Sequence, residues 1–188
     1  MKRLFIGCQV ISESAFQFTE DWKENAALNG NVVKWTKPEN WHITLIFLGV
    51  TPVSSINLLQ NLVEEAFQSV PSFHTRLNGV GIFPNWSNPK VLWLGLTNIE
   101  PLVPARLKLV NLLPEEGFPI DNKPFKAHLT LARIKHAANR TALKTIVEQY
   151  QNFDFGTVII NSVILYESIS TADGPVYKPI YRKELLDL

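Results

Sequence analysis

The chain has 188 residues, 46% hydrophobic and 19% charged, with 18 Lys+Arg against 17 Asp+Glu for a net charge of +1. That balance excludes an intrinsically disordered chain and a strongly basic nucleic-acid coat, while leaving room for a local basic patch. A lone cysteine, Cys8, excludes an internal disulfide, and no apolar run approaches the roughly 18 residues that a membrane helix needs.

Leu4 to Val10 reads as a strand. The N-terminal run resembles a signal peptide only faintly, because Gln9 breaks it too early. Cys8 lies in this run and is expected to be a buried thiol without a role. Ser12 can cap a helix running to about Leu28, with Ala15, Phe18, Trp22 and Ala26 on one face and Gly30 as its stop. Asn31 to Trp35 is a short strand, and Lys37 to Asn40 a turn. Residues 41–48 form a strand that Gly49 ends. A helix over 54–69 turns Leu59, Leu62, Val63 and Ala66 inward.

The second half repeats this rhythm. Phe73 to Phe83 and Val91 to Leu96 read as strands, and 101–113 as a helix with Pro101 early in its first turn. A loop through Pro119 to Pro124 leads to a strand over 126–133. A helix follows over 140–150, with Leu143, Ile146, Val147 and Tyr150 at helical spacing. Phe155 to Glu167 and Tyr177 to Lys183 close the chain as strands. No interdomain linker or low-complexity segment interrupts it. The expectation is an α+β fold: one domain over 1–188, made of two pseudo-symmetric lobes of mostly antiparallel sheet with flanking helices and a groove between them.

One pattern occurs twice. Trp41-His42-Ile43-Thr44-Leu45 is echoed by Ala127-His128-Leu129-Thr130-Leu131. In a strand, residues i and i+2 share a face. His42 and Thr44 therefore point one way and Ile43 and Leu45 the other, and the second copy divides likewise. If the two strands lie side by side, two imidazoles and two hydroxyls converge on one groove. Such a set suits in-line displacement at a phosphodiester. One histidine activates water or a ribose hydroxyl, the other protonates the leaving oxygen, and the threonine hydroxyls hold non-bridging oxygens. Neither a metal nor a nucleotide energy source is needed.

With these motifs the chain resembles the two-histidine (2H) phosphoesterase superfamily, and within it the RNA 2′,3′-cyclic phosphodiesterases, also called bacterial 2′-5′ RNA ligases. The resemblance spans nearly the whole chain. It includes Arg3-Leu4-Phe5-Ile6-Gly7, the run Lys37 to Leu45 with Phe47-Leu48-Gly49, and Gly79-Val80-Gly81-Ile82-Phe83-Pro84. It continues through Val91 to Gly95, Phe125 to Arg133, and Leu165-Tyr166-Glu167-Ser168 followed by Gly174 and Tyr177. It implies hydrolysis of a terminal RNA 2′,3′-cyclic phosphate to a 2′-phosphate, and reversible 2′-5′ ligation when a 5′-hydroxyl replaces water. It also implies His42 as proton donor to the leaving 3′ oxygen and His128 as proton acceptor. The near symmetry of the two motifs leaves those roles open on the residues alone.

The remaining candidates rank lower. Arg133, near Lys126, Lys135 and Arg140, reads either as a solvated charge or as a contact to the RNA backbone. Phe47, Trp93 and Tyr177 could stack on a base, although aromatics in apolar strands usually serve the core. Arg3 and Lys37 are weaker still, and His74 and His136 lack the motif and read as surface residues. Other readings keep the chemistry on a small nucleotide cyclic phosphate or a 2′-5′ oligonucleotide, or make the chain a non-catalytic RNA-end-binding module. A metal hydrolase lacks a ligand cluster in the sequence. The expected partner is RNA bearing a cyclic phosphate end. No membrane, cofactor or obligate protein partner is expected, and a cytoplasmic monomer suffices.

Overall fold

The computed structural model describes residues 1–25, 31–120, 124–172 and 174–187. In chain order it has β1 (Lys2–Gln9), α1 (Glu13–Lys23), β2 (Val32–Trp35), β3 (His42–Thr51), α2 (Ile56–Phe67), β4 (Phe73–Phe83), β5 (Val91–Thr97) and α3 (Leu102–Glu115). There follow β6 (His128–His136), α4 (Arg140–Gln149), β7 (Asp154–Ile160), β8 (Ser162–Thr171) and β9 (Gly174–Glu184). The fold is α+β: the named strands form one sheet in the order β7-β4-β5-β6-β3-β1-β8-β9, with β2 also on β6, and every pairing between them is antiparallel.

The sheet divides at the join of β3 and β6, where Ile43 pairs with Leu129. On one side lie β3, β1, β8 and β9; on the other lie β6, β5, β4 and β7. These spatial halves are not the sequence halves. The late strands β8 and β9 extend the half that begins with β1. Helix α1, from the start of the chain, packs against β7, with Phe18 edge-on to Phe155 at 4.8 Å and to Tyr150 at 5.0 Å. Helix α3 lies beside α2, and its Arg106 Nε donates to the Leu45 carbonyl of β3 at 3.0 Å.

Local chemistry explains most of the elements. Ser12 caps α1 by accepting from the Ala15 N–H, and Asn139 caps α4 by accepting from the Ala142 N–H. The inward faces expected for α2 and α4 are buried: Leu59, Leu62, Val63 and Ala66 in one, Leu143, Ile146 and Val147 in the other. Cys8 is fully buried, and that burial pushes its thiol up to about 12.

Several boundaries differ from the sequence reading. Helix α1 ends at Lys23, with the Asn25 N–H closing on the Trp22 carbonyl. Ala26, Leu28 and Gly30 lie outside the described residues, as do Asp121 to Lys123 of the later loop. The turn expected over Lys37 to Asn40 contains a 3-10 turn, Pro38–Asn40. Gly49 does not end β3. With φ +69°, it takes part in a register shift against Leu4 and Phe5 of β1, and the strand runs on to Thr51. The sixth strand begins two residues later than expected and continues to His136, because β2 pairs along its second half. The strand expected over 155–167 is two strands separated at Asn161. β7 pairs with β4, while β8 crosses to pair with β1.

Candidate active site

The β3–β6 join sets the site. Ile43 and Leu129 face each other, and both are 0% exposed. Their neighbours therefore turn to the opposite face. Extending the antiparallel register by one residue each way sets His42 across from Thr130 and Thr44 across from His128. All four line one groove of about 720 Å³. Leu45 and Leu131 are buried behind them, as the alternation required.

The two histidines are held alike. His42 Nδ1–H donates to the Asn40 carbonyl at 2.7 Å, and His128 Nδ1–H donates to the Lys126 carbonyl at 2.7 Å. A carbonyl only accepts, so in each neutral ring Nδ1 carries the hydrogen and Nε2 carries the lone pair. An aromatic ring backs each imidazole: Phe5 lies 4.7 Å from His42, and Phe83 stands edge-on to His128 at 4.9 Å. Gly7 of β1 lets the strand pass close beneath His42. A Cβ there would lie 2.6 Å from the Ile43 carbonyl oxygen.

The surroundings are not symmetric. His42 is also edged by Tyr177 at 4.9 Å, with Tyr166 at 6.1 Å. Burial in this aromatic cage, with His128 and Arg133 adding like charge, pushes the His42 pKa down to about 4, against the Asn40 hydrogen bond. The His128 pKa is lowered too, first by burial and then by the Lys126 charge, against its own carbonyl bond. Burial raises the Tyr177 hydroxyl while the positive charge of Arg133 opposes the rise.

Arg133 and Phe47 also line the groove, and Phe47 is 66% exposed. Arg3, Lys34 and Lys37 lie there with Glu39, so a chain of nearly zero net charge carries a locally positive groove. Tyr177 belongs to the lining, but Trp93 does not. It stacks on Phe83 at 5.0 Å, and Lys126 Nζ sits 4.2 Å above its ring. His74 and His136 are exposed. Among the described residues, no cluster of three His, Cys, Asp or Glu could hold a metal ion.

Sequence reasoning missed Asn40, Phe5 and Phe83 as neighbours of the histidines. The carbonyl two positions before each histidine left no signal, because any residue supplies a carbonyl. Phe5 and Phe83 come from strands whose pairing partners the sequence does not name.

Comparison with known proteins converges on one family. A model described as the 2′-5′ RNA ligase superfamily matches residues 13–170. An RNA 2′,3′-cyclic phosphodiesterase of Archaeoglobus fulgidus is 35% identical over 179 residues, 95% of this chain and 97% of that protein. One from Aquifex aeolicus is 33% identical over 147 residues, 77% of each. A solved structure from Thermus thermophilus superimposes with a TM-score of 0.78 at 29% identity, covering 97% of both chains. Escherichia coli LigT complexed with 3′-AMP shares the fold, with a TM-score of 0.75 at 22% identity over 98% of both chains.

Proposed function

The chain belongs to the 2′-5′ RNA ligase superfamily, and from that premise we propose that His42 and His128 are the acid/base pair of an RNA 2′,3′-cyclic phosphodiesterase. The enzyme opens a terminal 2′,3′-cyclic phosphate to the 2′-phosphate, and it joins a 2′-5′ linkage when a 5′-hydroxyl takes the place of water. The observation that carries the residue assignment is the facing of the two His-x-Thr strands across the Ile43–Leu129 pair, with all four side chains on one groove.

The reaction follows from that arrangement. The cyclic phosphate sits between the imidazoles. His128 Nε2 takes a proton from water as its oxygen bonds to phosphorus in line with the 3′ oxygen. The bond from phosphorus to the 3′ oxygen breaks, and His42 Nε2–H protonates the departing oxygen. Thr44 and Thr130 hydroxyls donate to the non-bridging oxygens, and Arg133 adds positive charge on the same groove. The carbonyls of Asn40 and Lys126 hold each ring through Nδ1–H and favour the imidazolium when it forms.

His42 is neutral in the free enzyme at neutral pH, since burial has lowered its pKa to about 4. The phosphodiester carries a negative charge, and a charge beside the ring raises that pKa. Substrate binding thus loads the acid with its proton.

Residues 1–188 act as one bilobal domain, and its setting is a cytoplasmic monomer acting on RNA ends. The buried free thiol of Cys8 is compatible with a reducing compartment. Among the described residues, no helix is long and apolar enough to cross a membrane. The direct test is incubation with RNA ending in a 2′,3′-cyclic phosphate, in the presence of EDTA. The expected product is the 2′-phosphate; an unchanged cyclic end would overturn the reading.

A further inference from the structure

Three hydrogen bonds meet at one buried residue just before β3. The Asn40 carbonyl accepts His42 Nδ1–H at 2.7 Å. Its side-chain Nδ2 donates to the Pro175 carbonyl at 2.9 Å, and its Oδ1 accepts the Tyr177 N–H at 3.3 Å. Asn40 ends the 3-10 turn Pro38–Asn40 and is 9% exposed. The amide thus satisfies a donor and an acceptor of β9 at once. An amide buried without those partners would carry a desolvation penalty, so the two side-chain bonds fix the peptide that faces His42.

We propose that Asn40 is a positioning residue: its side chain ties β9 to the turn that orients His42, so the acid's ring and the groove wall beside it are held as one unit. This rests on the two-histidine function above. The wall in question is the β8–β9 hairpin, which contributes Ser168, Ser170, Thr171 and Tyr177 to the groove. Tyr177 lies against His42, and the positive charge of Arg133 on β6 acts on its hydroxyl across the same groove.

Among the described residues, the second histidine has no such latch. Lys126 supplies the carbonyl to His128, but its side chain lies over the Trp93 ring and the residue is exposed. The two histidines therefore differ in what holds them, and the difference can be measured one ring at a time.

The test is Asn40→Ala, read by kinetics and by 15N resonances of the two histidines. We expect kcat to fall on the order of tenfold with KM within about twofold, because misaimed acid affects the chemical step. His42 should lose its single Nδ1–H tautomer pattern while His128 keeps its own. The groups facing His42 are Tyr166 of β8, Tyr177 of β9, and His128 and Arg133 of β6. None is altered, so loss of the Asn40 bond should shift the alkaline limb of the kcat profile to lower pH. Asn40→Asp, which keeps an acceptor for the Tyr177 N–H and loses the donor to Pro175, should show a smaller loss in kcat and serves if the alanine variant does not fold. Unchanged His42 resonances with kcat within twofold of wild type would overturn the proposal. Equal disturbance of His42 and His128 would overturn it too, by making the effect a general loosening. Failure of the reading beneath it looks different: the wild-type protein would leave the cyclic end unopened, or His42→Ala would keep its turnover.

Discussion

Ile43 and Leu129 form the cross-strand pair about which the site is arranged. Both are fully buried, and each separates a histidine from a threonine on its own strand. A local two-fold relation passes between them. It turns two short linear motifs into alternating corners of one polar patch, so each imidazole has a hydroxyl across from it.

Loss of either imidazole should remove one proton transfer. His42→Ala and His128→Ala are each expected to reduce kcat/KM on the order of 10² or more. The double variant should fall little further, since the two act in one step. Near wild-type turnover in both single variants on a cyclic-phosphate RNA would refute the mechanism.

The threonines should behave differently. Thr44→Val and Thr130→Val keep the strand shape and delete the hydroxyl. A lost hydrogen bond to a charged oxygen corresponds to about 1.5–3 kcal/mol, or roughly 10- to 150-fold in kcat/KM. Full activity in both variants would remove the hydroxyls from the phosphate site.

Binding should take up a proton. The His42 pKa of about 4 leaves it neutral in the free enzyme near pH 7, and the phosphodiester raises it. Calorimetry with His128→Ala and the intact cyclic substrate, repeated in buffers of different ionisation enthalpy, should report net proton uptake near pH 6. Zero uptake would mean that His42 does not arrive at the transition state as the acid.

Stability should depend on pH through the same ring. The folded His42 pKa is about 4, below the unfolded value of about 6.5, so the unfolded chain binds the proton more readily. Stability is at its full value above about pH 6.5 and falls as the pH drops toward 4, by about 3 kcal/mol from this group. His128 acts in the same direction. Denaturant midpoints from pH 7 to 4 should therefore flatten in His42→Gln without becoming level. An unchanged slope would show that His42 is not buried as described.

Gly7→Ala should disturb both fold and activity. Its Cβ would lie 2.6 Å from the Ile43 carbonyl oxygen and 3.5 Å from His42 Cδ2. Relief requires β1 to move away from β3, at about 1–3 kcal/mol. A lowered melting temperature together with reduced kcat is expected. A wild-type melting curve would show that the strands have room to spare.

Much of this protein is visible in its residues one segment at a time. Ser12 announces α1 because its hydroxyl can satisfy an otherwise free N–H, and the spacing of Leu59, Leu62, Val63 and Ala66 announces the buried face of α2. Gly49 misled because glycine serves a bulge as readily as a stop, and only the register with β1 distinguishes the two. The run 155–167 misled because its apolar residues suit any strand, while the change of partner at Asn161 leaves no periodic trace.

The sequence by itself determined the chemistry on offer: two histidines, two threonines, and the alternation that sends each pair to one face while Ile43, Leu45, Leu129 and Leu131 go to the other. Those are local properties of a strand, carried by the order of neighbouring residues. Tertiary structure alone decided how the copies differ. Phe5 and Tyr177 reach His42 from β1 and β9, Asn40 joins that ring to the hairpin, and Trp93 turns behind Phe83 to meet Lys126. Each of these contacts joins residues far apart in the chain or set by strand register. They depend on which strands pair, and no short stretch of sequence carries that choice.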